Sequence, residues 1–284
     1  MESGPPPPPN VIRAFGASER DALVPLAGGI AQTAWRVGDL VLKPVQEFNV
    51  GEGDWIADVL DAIVEDGFRV IKPARADDGR WLEDGWTAWH WFEGDHLRDR
   101  WHDIAASADA FHRALPIAIA KAGAAPRPLW LDTRGHRWAV AEGVVWHGAP
   151  MPTVANYDVP EFALWERARA AGSPLTGDEA KQSQVVHGDI AGNVLVGEDG
   201  VPAFIDMSPG WRTAKSSHDQ VLVEGFAFHG GAESVIDAID PADAARAMAF
   251  RLLCGFQALV QVPGSFLPPK EIARIGRALD LIGA

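Results

Sequence analysis

The residues best suited to chemistry in this chain lie in one short stretch. His187-Gly188-Asp189 is followed by Asn193, and a second carboxylate, Asp206, comes directly after an apolar run. Amide and carboxylate oxygens are the hard ligands that Mg²⁺ prefers, and a separate carboxylate can orient a hydroxyl group. The three oxygen-bearing side chains therefore fit magnesium-dependent phosphoryl transfer, provided that the fold brings them together.

A predicted β-hairpin would bring them together. Residues 194–196 and 202–205 are apolar, and the Gly-Glu-Asp-Gly stretch between them, at 197–200, is typical of a turn. Because a hairpin brings its two open ends together, Asn193 is expected beside Asp206. Asp189 lies four residues upstream of Asn193, on the loop that enters the hairpin.

His-x-Asp, then Asn, a short hairpin and an Ile-Asp-x-Ser ending resemble the aminoglycoside phosphotransferase and choline kinase-like family, which has a protein-kinase-like fold. The chain also resembles a bacterial branch of this family with a His-Gly-Asp-x-x-Gly-Asn-Val-Leu loop and a high tryptophan content. The resemblance implies that Asp189 is the catalytic base and that Asn193 and Asp206 hold Mg²⁺ on ATP. The usual family spacing from that Asp to the Asn is five residues, whereas here it is four, so the loop is one residue tighter.

The resemblance also implies a nucleotide site in the N-terminal part of the chain. Gly28 and Gly29 would let the backbone approach the phosphates of ATP. Lys43, at the end of a predicted strand, would contact the α- and β-phosphates. Glu52 at the start of the next helix would pair with it, with Glu47 as the competing candidate. The strand that ends near residue 92 would be the hinge between two lobes, where backbone groups of two residues hold adenine. Those two residues are His90 and Phe92. The chain contains neither G-x-x-x-x-G-K-[ST] nor G-x-G-x-x-G, which excludes a P-loop and a dinucleotide fold.

The order of predicted elements agrees with this architecture. Residues 11–93 contain a hairpin at 35–43, one helix at 52–65 and further strands at 70–71, 81–82 and 86–92, so they predict a small antiparallel-sheet lobe that binds nucleotide. Residues 94–284 predict a larger, mainly helical lobe with the catalytic loop and the substrate site. One of its helices is expected to end at Pro116, and residues 124–153 are expected to be an insertion with a small hairpin. The fold class is therefore α+β and bilobal, and residues 1–10 are predicted to be a disordered proline-rich tail.

Composition limits the other possibilities. The chain has 284 residues and a formal net charge of −14, which argues against a nucleic-acid partner because such a protein needs a basic face. Its single cysteine, Cys254, excludes an intrachain disulfide and is expected to be buried. No apolar run is long enough for a membrane span and no leader pattern is present, so a cytoplasmic protein without a membrane partner is expected. The oligomeric state is left open.

Several neighbouring residues are expected to have supporting roles. His187 is expected to hold the loop through backbone hydrogen bonds rather than to act as a base, because no partner carboxylate for it is evident. His112 is interpreted as a packed core histidine, Asp219 as an anchor of the loop, Ser208 as a turn cap and Arg212 as a solvated loop arginine. A group of helix N-terminal acids could line a pocket for a cationic substrate, although acids at helix starts are common in any case. The group comprises Glu233, Asp237, Asp240 and Asp243.

The predicted function is an ATP- and Mg²⁺-dependent phosphotransferase that acts on a hydroxyl group of a small molecule. Two alternatives stay open. The tighter loop is compatible with a catalytically inactive nucleotide-binding regulator, and His187, Asp189, Asp206 and the His218-Asp219 pair could instead belong to a metal-dependent phosphohydrolase. Amino sugars, choline-like alcohols and other hydroxylated metabolites all remain candidate substrates.

Overall fold

The computed structural model describes residues 4–26, 34–45, 51–96, 99–152, 159–237, 239–258 and 267–284. Within these ranges the chain is an α+β protein with a small sheet-containing lobe and a larger helical lobe, as predicted. Gly28 and Gly29, the predicted phosphate-loop glycines, lie outside the described residues.

Six short strands form the antiparallel sheet of the first lobe. They are β1 (Leu23–Pro25), β2 (Trp35–Val37), β3 (Leu40–Pro44), β5 (Pro73–Ala74), β6 (Leu82–Glu83) and β7 (Trp86–His90). The order is β1-β2-β3-β7-β5, and β6 also pairs with β7. The predicted hairpin of β2 and β3 is confirmed, and its turn requires Gly38, whose φ is 57°. Because β3 is central, Lys43 lies on a strand held from both sides.

A short helix before the sheet was not predicted. Helix α1 (Pro9–Ala14) buries Val11 and Ile12 in a small core with β2, β3 and β7. Proline is tolerated in the first turn of a helix because its missing N–H has no intrahelical partner there. The helix therefore begins inside the stretch that the sequence predicts to be a disordered tail through residue 10.

Helix α2 (Glu52–Ala62) and strand β4 (Arg69–Val70) lie between β3 and β5 in the chain, but both contact the second lobe. The predicted apolar stripe of α2 is buried, and α2 packs on the long helix α3. Strand β4, however, pairs in parallel with β10 of the catalytic hairpin, so its assignment to the N-terminal sheet was wrong. The sequence of a two-residue strand does not indicate which strand it pairs with. The pairing of β4 with β10 joins the two lobes directly.

The second lobe is mainly helical, as predicted. Its helices are α3 (Trp101–Lys121), α4 (Trp130–Thr133), α5 (Arg137–His147), α6 (Pro160–Ala171), α7 (Gly177–Lys181), α8 (Ala214–His229), α9 (Pro241–Ala258) and α10 (Pro269–Leu281), with a 3₁₀ turn at Glu233–Ile236. Its strands are β8 (Gln184–His187), β9 (Val194–Val196), β10 (Pro202–Phe204) and β11 (Pro209–Arg212). Helices α8 and α9 pack together at the centre of one large apolar core. No helix in the described ranges has the length and apolarity needed to cross a membrane.

Helix α3 does not end at Pro116, contrary to the prediction. It continues to Lys121 with the proline inside it. A proline in a helix leaves the carbonyl four residues earlier without its partner, here that of His112. The side chain of Gln184 donates to this carbonyl at 2.8 Å, so a long-range contact removes the penalty on which the prediction was based.

The predicted small hairpin within residues 124–153 was also wrong, because the structure has helices α4 and α5 there. The side chain of His136 caps α5 by accepting a hydrogen bond from the N–H of Ala139, and Gly148, with φ of 67°, ends it. Its apolar residues pack against α9, and tertiary burial therefore decides in favour of the helix. This segment supplies one wall of the cleft described below.

The His136 cap predicts a pH dependence of stability. Burial, with a smaller contribution from Arg134, lowers the pKa of His136 from 6.5 to about 4. The unfolded chain therefore binds this proton at a pH where the folded chain does not, so stability present above pH 6.5 is lost as the pH falls toward 4. We expect His136→Asn, which keeps a capping side chain, to flatten the pH profile of urea unfolding by on the order of 1–2 kcal/mol over that range, allowing for partial exposure. Parallel profiles for both proteins would contradict this.

Candidate active site

The hairpin predicted between Asn193 and Asp206 is confirmed. Strands β9 and β10 pair antiparallel with Val194 opposite Phe204, and the N–H of Ile205 donates to the carbonyl of Asn193 at 3.0 Å. The hairpin thus places Asn193 and Asp206 at its open end. Asp206 has a φ of 48°, a left-handed conformation that is uncommon outside glycine. Such a conformation persists only where the surroundings impose it, and it is concentrated at functional sites.

A cleft of about 720 Å³ lies at this end of the hairpin. Every predicted site residue within the described ranges lines it, namely Lys43, Glu52, His90, Phe92, Asp189, Asn193 and Asp206. Its apolar lining includes Leu26, Val41, Ile71, Trp89, Leu195 and Met207. The combination of apolar walls with a few convergent charged groups is that of a small-molecule site, and the volume is within the usual range for one.

Lys43 and Asp206 form an ion pair across the cleft. The lysine comes from β3 of the first lobe, whereas the carboxylate follows β10 in the second. Both side chains are partly exposed, at 29% and 49%, so the pair contributes little to stability. The geometry shows that the lysine and the metal-ligand candidate can reach the same point, where each neutralises the other.

Glu52 does not pair with Lys43, which corrects the sequence-based expectation. Its Oε1 lies 3.3 Å from Nη1 of Arg134, whose guanidinium also donates to the carbonyl of Pro209 at 2.8 Å. Both ionic side chains are more than nine-tenths buried. Burial raises the pKa of Glu52, although Arg134 acts in the opposite direction. The competing arginine lies in the segment that was predicted to be a hairpin, so no local pattern could have revealed it.

Arg134 is expected to stabilise the wall of the cleft that α4 and α5 supply. Its Nη2 also lies 3.7 Å from the carboxylate of Glu142, so removing the guanidinium leaves two buried acids without their counter-charge. We expect Arg134→Met to destabilise the fold by about 3–5 kcal/mol in urea unfolding. Arg80→Met, which removes an exposed arginine paired with Asp78, is the matched control and should change little. Equal losses in both variants would contradict the buried role of Arg134.

Asp189 is held at both of its carboxylate oxygens. Nη2 of Arg251 donates to Oδ1 at 2.7 Å, and Nδ2 of Asn193 donates to Oδ2 at 3.1 Å and to the main-chain carbonyl at 2.7 Å. Burial opposes the charge of Arg251, but Asp189 and Glu224 outweigh it and raise the pKa of the guanidinium. Because the amide nitrogen of Asn193 is committed to Asp189, its Oδ1 is the atom that can bind a cation.

His187 has the structural role that was predicted. It is buried, its Nε2 bonds the carbonyl of Ile205 at 3.0 Å, and its Nδ1 accepts from the N–H of Asp189 at 3.2 Å. Burial lowers the pKa of His187, which favours the neutral ring that can donate at one nitrogen and accept at the other. His112 is a buried core residue, also as predicted, and accepts from the N–H of His187 at 3.0 Å.

The residues that anchor the catalytic loop differ from those predicted. Asp219 bonds Lys215 and the N–H of Asp240 instead of the loop. The loop carbonyls are bound by three other side chains: Ser217 at His187, and Gln220 and Arg212 at Gly188. Arg212 is fully buried, so its interpretation as a solvated arginine was wrong. Its buried position follows from the pairing of β11 with β8, which the sequence did not predict.

The hinge strand offers one backbone hydrogen-bond donor fewer to a nucleotide than predicted, because that of His90 is already used. The N–H of His90 donates to the carbonyl of Lys72 at 2.9 Å, so the carbonyl is the backbone group of His90 that is left for a ligand. The ring of Phe92 packs against the backbone of the catalytic hairpin. A Cβ on Gly197 would lie 3.0 Å from Cζ of that ring, which explains the glycine. Phe92 thus fixes the hairpin beneath the hinge.

The His218-Asp219 pair invoked for a phosphohydrolase does not join the other candidate groups. His218 bonds Asp109 at 2.9 Å, Asp219 bonds Lys215, and neither of the two lines the cleft that contains Asp206. Across the part of the chain that the structure describes, no group of three or more His, Cys, Asp or Glu side chains is placed to hold a metal ion.

The helix-end acids do not form a pocket for a cationic substrate in the described cleft. Glu233 pairs with Arg277 on the surface at 2.8 Å, and Asp243 is buried against Ser216 and Arg246, each at 2.6 Å. Neither of these acids lines the cleft, and neither do Asp237 and Asp240.

Together, the two lobes, the cleft between them and the hairpin at its base define a bilobal protein-kinase-like fold. Comparison with solved structures agrees. A spectinomycin phosphotransferase in complex with ADP and spectinomycin matches with a TM-score of 0.58 at 12% identity, over 97% of this chain and 96% of that chain. Its AMP complex matches with a TM-score of 0.57 at 12% identity and the same coverage. An aminoglycoside phosphotransferase from Alicyclobacillus acidocaldarius matches with a TM-score of 0.55 at 11% identity, over 99% of this chain and 95% of that chain.

No protein-family model matches the chain, and no curated protein matches it in sequence. At 11–12% identity, the likeness to the solved structures establishes the fold. The chemistry must therefore be argued from the cleft itself.

Proposed function

We propose that this protein is a small-molecule kinase that transfers the γ-phosphate of ATP to a hydroxyl group in a Mg²⁺-dependent reaction. The observation that carries the proposal is the convergence of Lys43, Asp189, Asn193 and Asp206 in one cleft, although they come from both lobes. The structural neighbours crystallised with ADP and AMP support nucleotide binding in the same fold.

The donor set fits Mg²⁺. Oδ1 of Asn193 and the carboxylate of Asp206 are hard oxygen donors at the open end of one hairpin. The left-handed backbone of Asp206 is of the kind that is concentrated at functional sites. When bound there, the ion supplies charge neutralisation for the phosphates of ATP.

The chain's own residues divide the remaining work. Lys43 binds phosphate oxygens once it exchanges its contact with Asp206 for the nucleotide. Asp189 accepts a hydrogen bond from the acceptor hydroxyl and takes its proton as the oxygen attacks the γ-phosphorus. The bond from that phosphorus to the β-phosphate oxygen breaks, and ADP leaves. Such a reaction depends mostly on positioning and on stabilisation of charge.

The direct test is ADP formation from ATP and Mg²⁺ in the presence of a panel of amino sugars, choline-like alcohols and other hydroxylated metabolites. We expect at least one compound to accelerate ADP release and to appear as a phosphorylated product by mass spectrometry. Phosphate release without any phosphorylated acceptor would contradict the proposal, provided that ATP binding has been confirmed.

A nucleotide-binding regulator without turnover is the second candidate. The four-residue spacing from Asp189 to Asn193 and the occupation of both carboxylate oxygens of Asp189 favour it. Thermal stabilisation by ATP with no Mg²⁺-dependent turnover would support this function over that of a kinase.

A further inference from the structure

An arginine from outside the catalytic loop contacts the candidate base. Nη2 of Arg251, on α9, donates to Oδ1 of Asp189 at 2.7 Å and to Oε2 of Glu224 at 2.9 Å. We propose that Arg251 is a positioning residue, which fixes the orientation of the Asp189 carboxylate for phosphoryl transfer. The proposal rests on the kinase function proposed above and extends it to a residue outside the resemblance.

The arginine is itself held from behind. Its Nε lies 2.8 Å from Oε1 of Glu224, which is fully buried on α8. The carboxylate of Glu224 accepts from Nε2 of Gln220 at 2.6 Å, and Gln220 also donates to the carbonyl of Gly188 at 3.0 Å. These contacts close a ring from the catalytic loop through α8 and α9 back to Asp189. The position of Arg251 is therefore coupled to the backbone of the loop that it supports.

Two aromatic rings flank the guanidinium. Its central carbon lies 5.2 Å from the ring centre of Trp138 and 5.9 Å from that of Phe228. Contacts of this kind favour a cation over an aromatic face and restrict the side chain further. Trp138 also lines the cleft, so the arginine lies directly behind the wall near Asp189.

The arrangement has a defined consequence for catalysis. With Oδ1 bound to Arg251, the carboxylate of Asp189 cannot rotate freely. Oδ2 accepts the longer hydrogen bond, at 3.1 Å from Asn193, and keeps a second lone pair for the acceptor hydroxyl. A misplacement of about 1 Å can cost roughly 10²-fold in rate. Because Arg251 does not line the cleft, its loss should lower kcat and leave the KM for ATP almost unchanged. An arginine that only neutralised Glu224 would not act through Asp189.

The experiment measures hydrolysis of MgATP by the whole chain, with water as the acceptor. The rate of ADP release gives kcat and the KM for ATP. Wild type is compared with Arg251→Met, Arg251→Lys, Asp189→Ala and the double variant Asp189→Ala/Arg251→Met. Arg277→Met, which removes an exposed arginine from a pair with Glu233, is the matched control. We expect Arg251→Met to lower kcat by about 10- to 100-fold with the KM for ATP within about twofold, and Arg251→Lys to recover part of the loss. In the Asp189→Ala background the same change should have almost no further effect.

Three outcomes would overturn the proposal. The first is an unchanged kcat in Arg251→Met. The second is a loss of the same factor with and without Asp189, which indicates a structural role. The third is wild-type protein that turns over MgATP neither with water nor with any compound of the acceptor panel, in which case the proposed function fails and the positioning role fails with it. If Arg251→Met does not fold because Glu224 loses its counter-charge, Arg251→Met/Glu224→Gln is compared with Glu224→Gln, and the same criteria apply.

Discussion

Replacing Asp206 with alanine is expected to abolish phosphoryl transfer. The carboxylate is the charged member of the candidate metal site, and it follows the hairpin strand that fixes its position against Asn193. Without this carboxylate the chain would not hold the ion that neutralises the phosphates of ATP. We therefore expect turnover to fall by more than about 10³-fold. The measurement is ADP formation at saturating ATP and Mg²⁺.

Asp206→Asn is the matched control for the backbone. Asparagine tolerates the left-handed conformation that Asp206 adopts with φ of 48°, so it removes the charge without adding strain. We expect Asp206→Asn to be nearly as inactive as Asp206→Ala while its thermal midpoint stays close to that of wild type, because the ion pair with Lys43 is partly exposed. Turnover within tenfold of wild type in either variant would refute the metal-ligand assignment.

Replacing Asp189 with alanine is expected to lower turnover by about 10²–10⁴-fold and to spare ATP binding. This is the usual contribution of a positioned base, and Asp189 contacts Arg251 and Asn193, not the Lys43–Asp206 pair that would meet the phosphates. Turnover and the affinity for ATP, measured by calorimetry on the same samples, separate the two effects.

Asp189→Asn separates orientation from basicity. The amide oxygen can still accept from Arg251, although the amide nitrogen cannot accept from Asn193 as Oδ2 of Asp189 does. The side chain thus keeps its contact with the arginine but cannot take the proton. We expect a loss of turnover comparable to that of Asp189→Ala. Unchanged turnover in Asp189→Ala would show that the carboxylate is not the base.

The parts of the structure that could be predicted are those encoded locally. The catalytic hairpin, the β2–β3 hairpin and the buried stripe of α2 each follow from a short period of apolar residues and from turn residues. Their order along the chain predicted a small sheet-containing lobe before a larger helical one, and the family resemblance implied that Lys43 and Asp189 meet at one cleft.

The errors arose where a distant partner decides the outcome. Pro116 lies inside α3 because Gln184 binds the carbonyl that the proline leaves free. Glu52 turns to Arg134 because α4 and α5 bring a buried guanidinium beside it. Arg251 is the clearest case, since nothing in the composition of α9 indicates that one of its residues contacts a loop sixty-two residues earlier. Long-range ion pairs leave no periodic signal in a single sequence.

A crystal structure with Mg²⁺ and a non-hydrolysable ATP analogue would test the central claim most directly. We expect the triphosphate in the cleft, one ion bound by Oδ1 of Asn193 and the carboxylate of Asp206 at about 2.1 Å, Lys43 on a phosphate, and Asp189 facing the γ-phosphate without binding the ion. A nucleotide bound elsewhere, or an ion that neither Asn193 nor Asp206 contacts, would contradict the account.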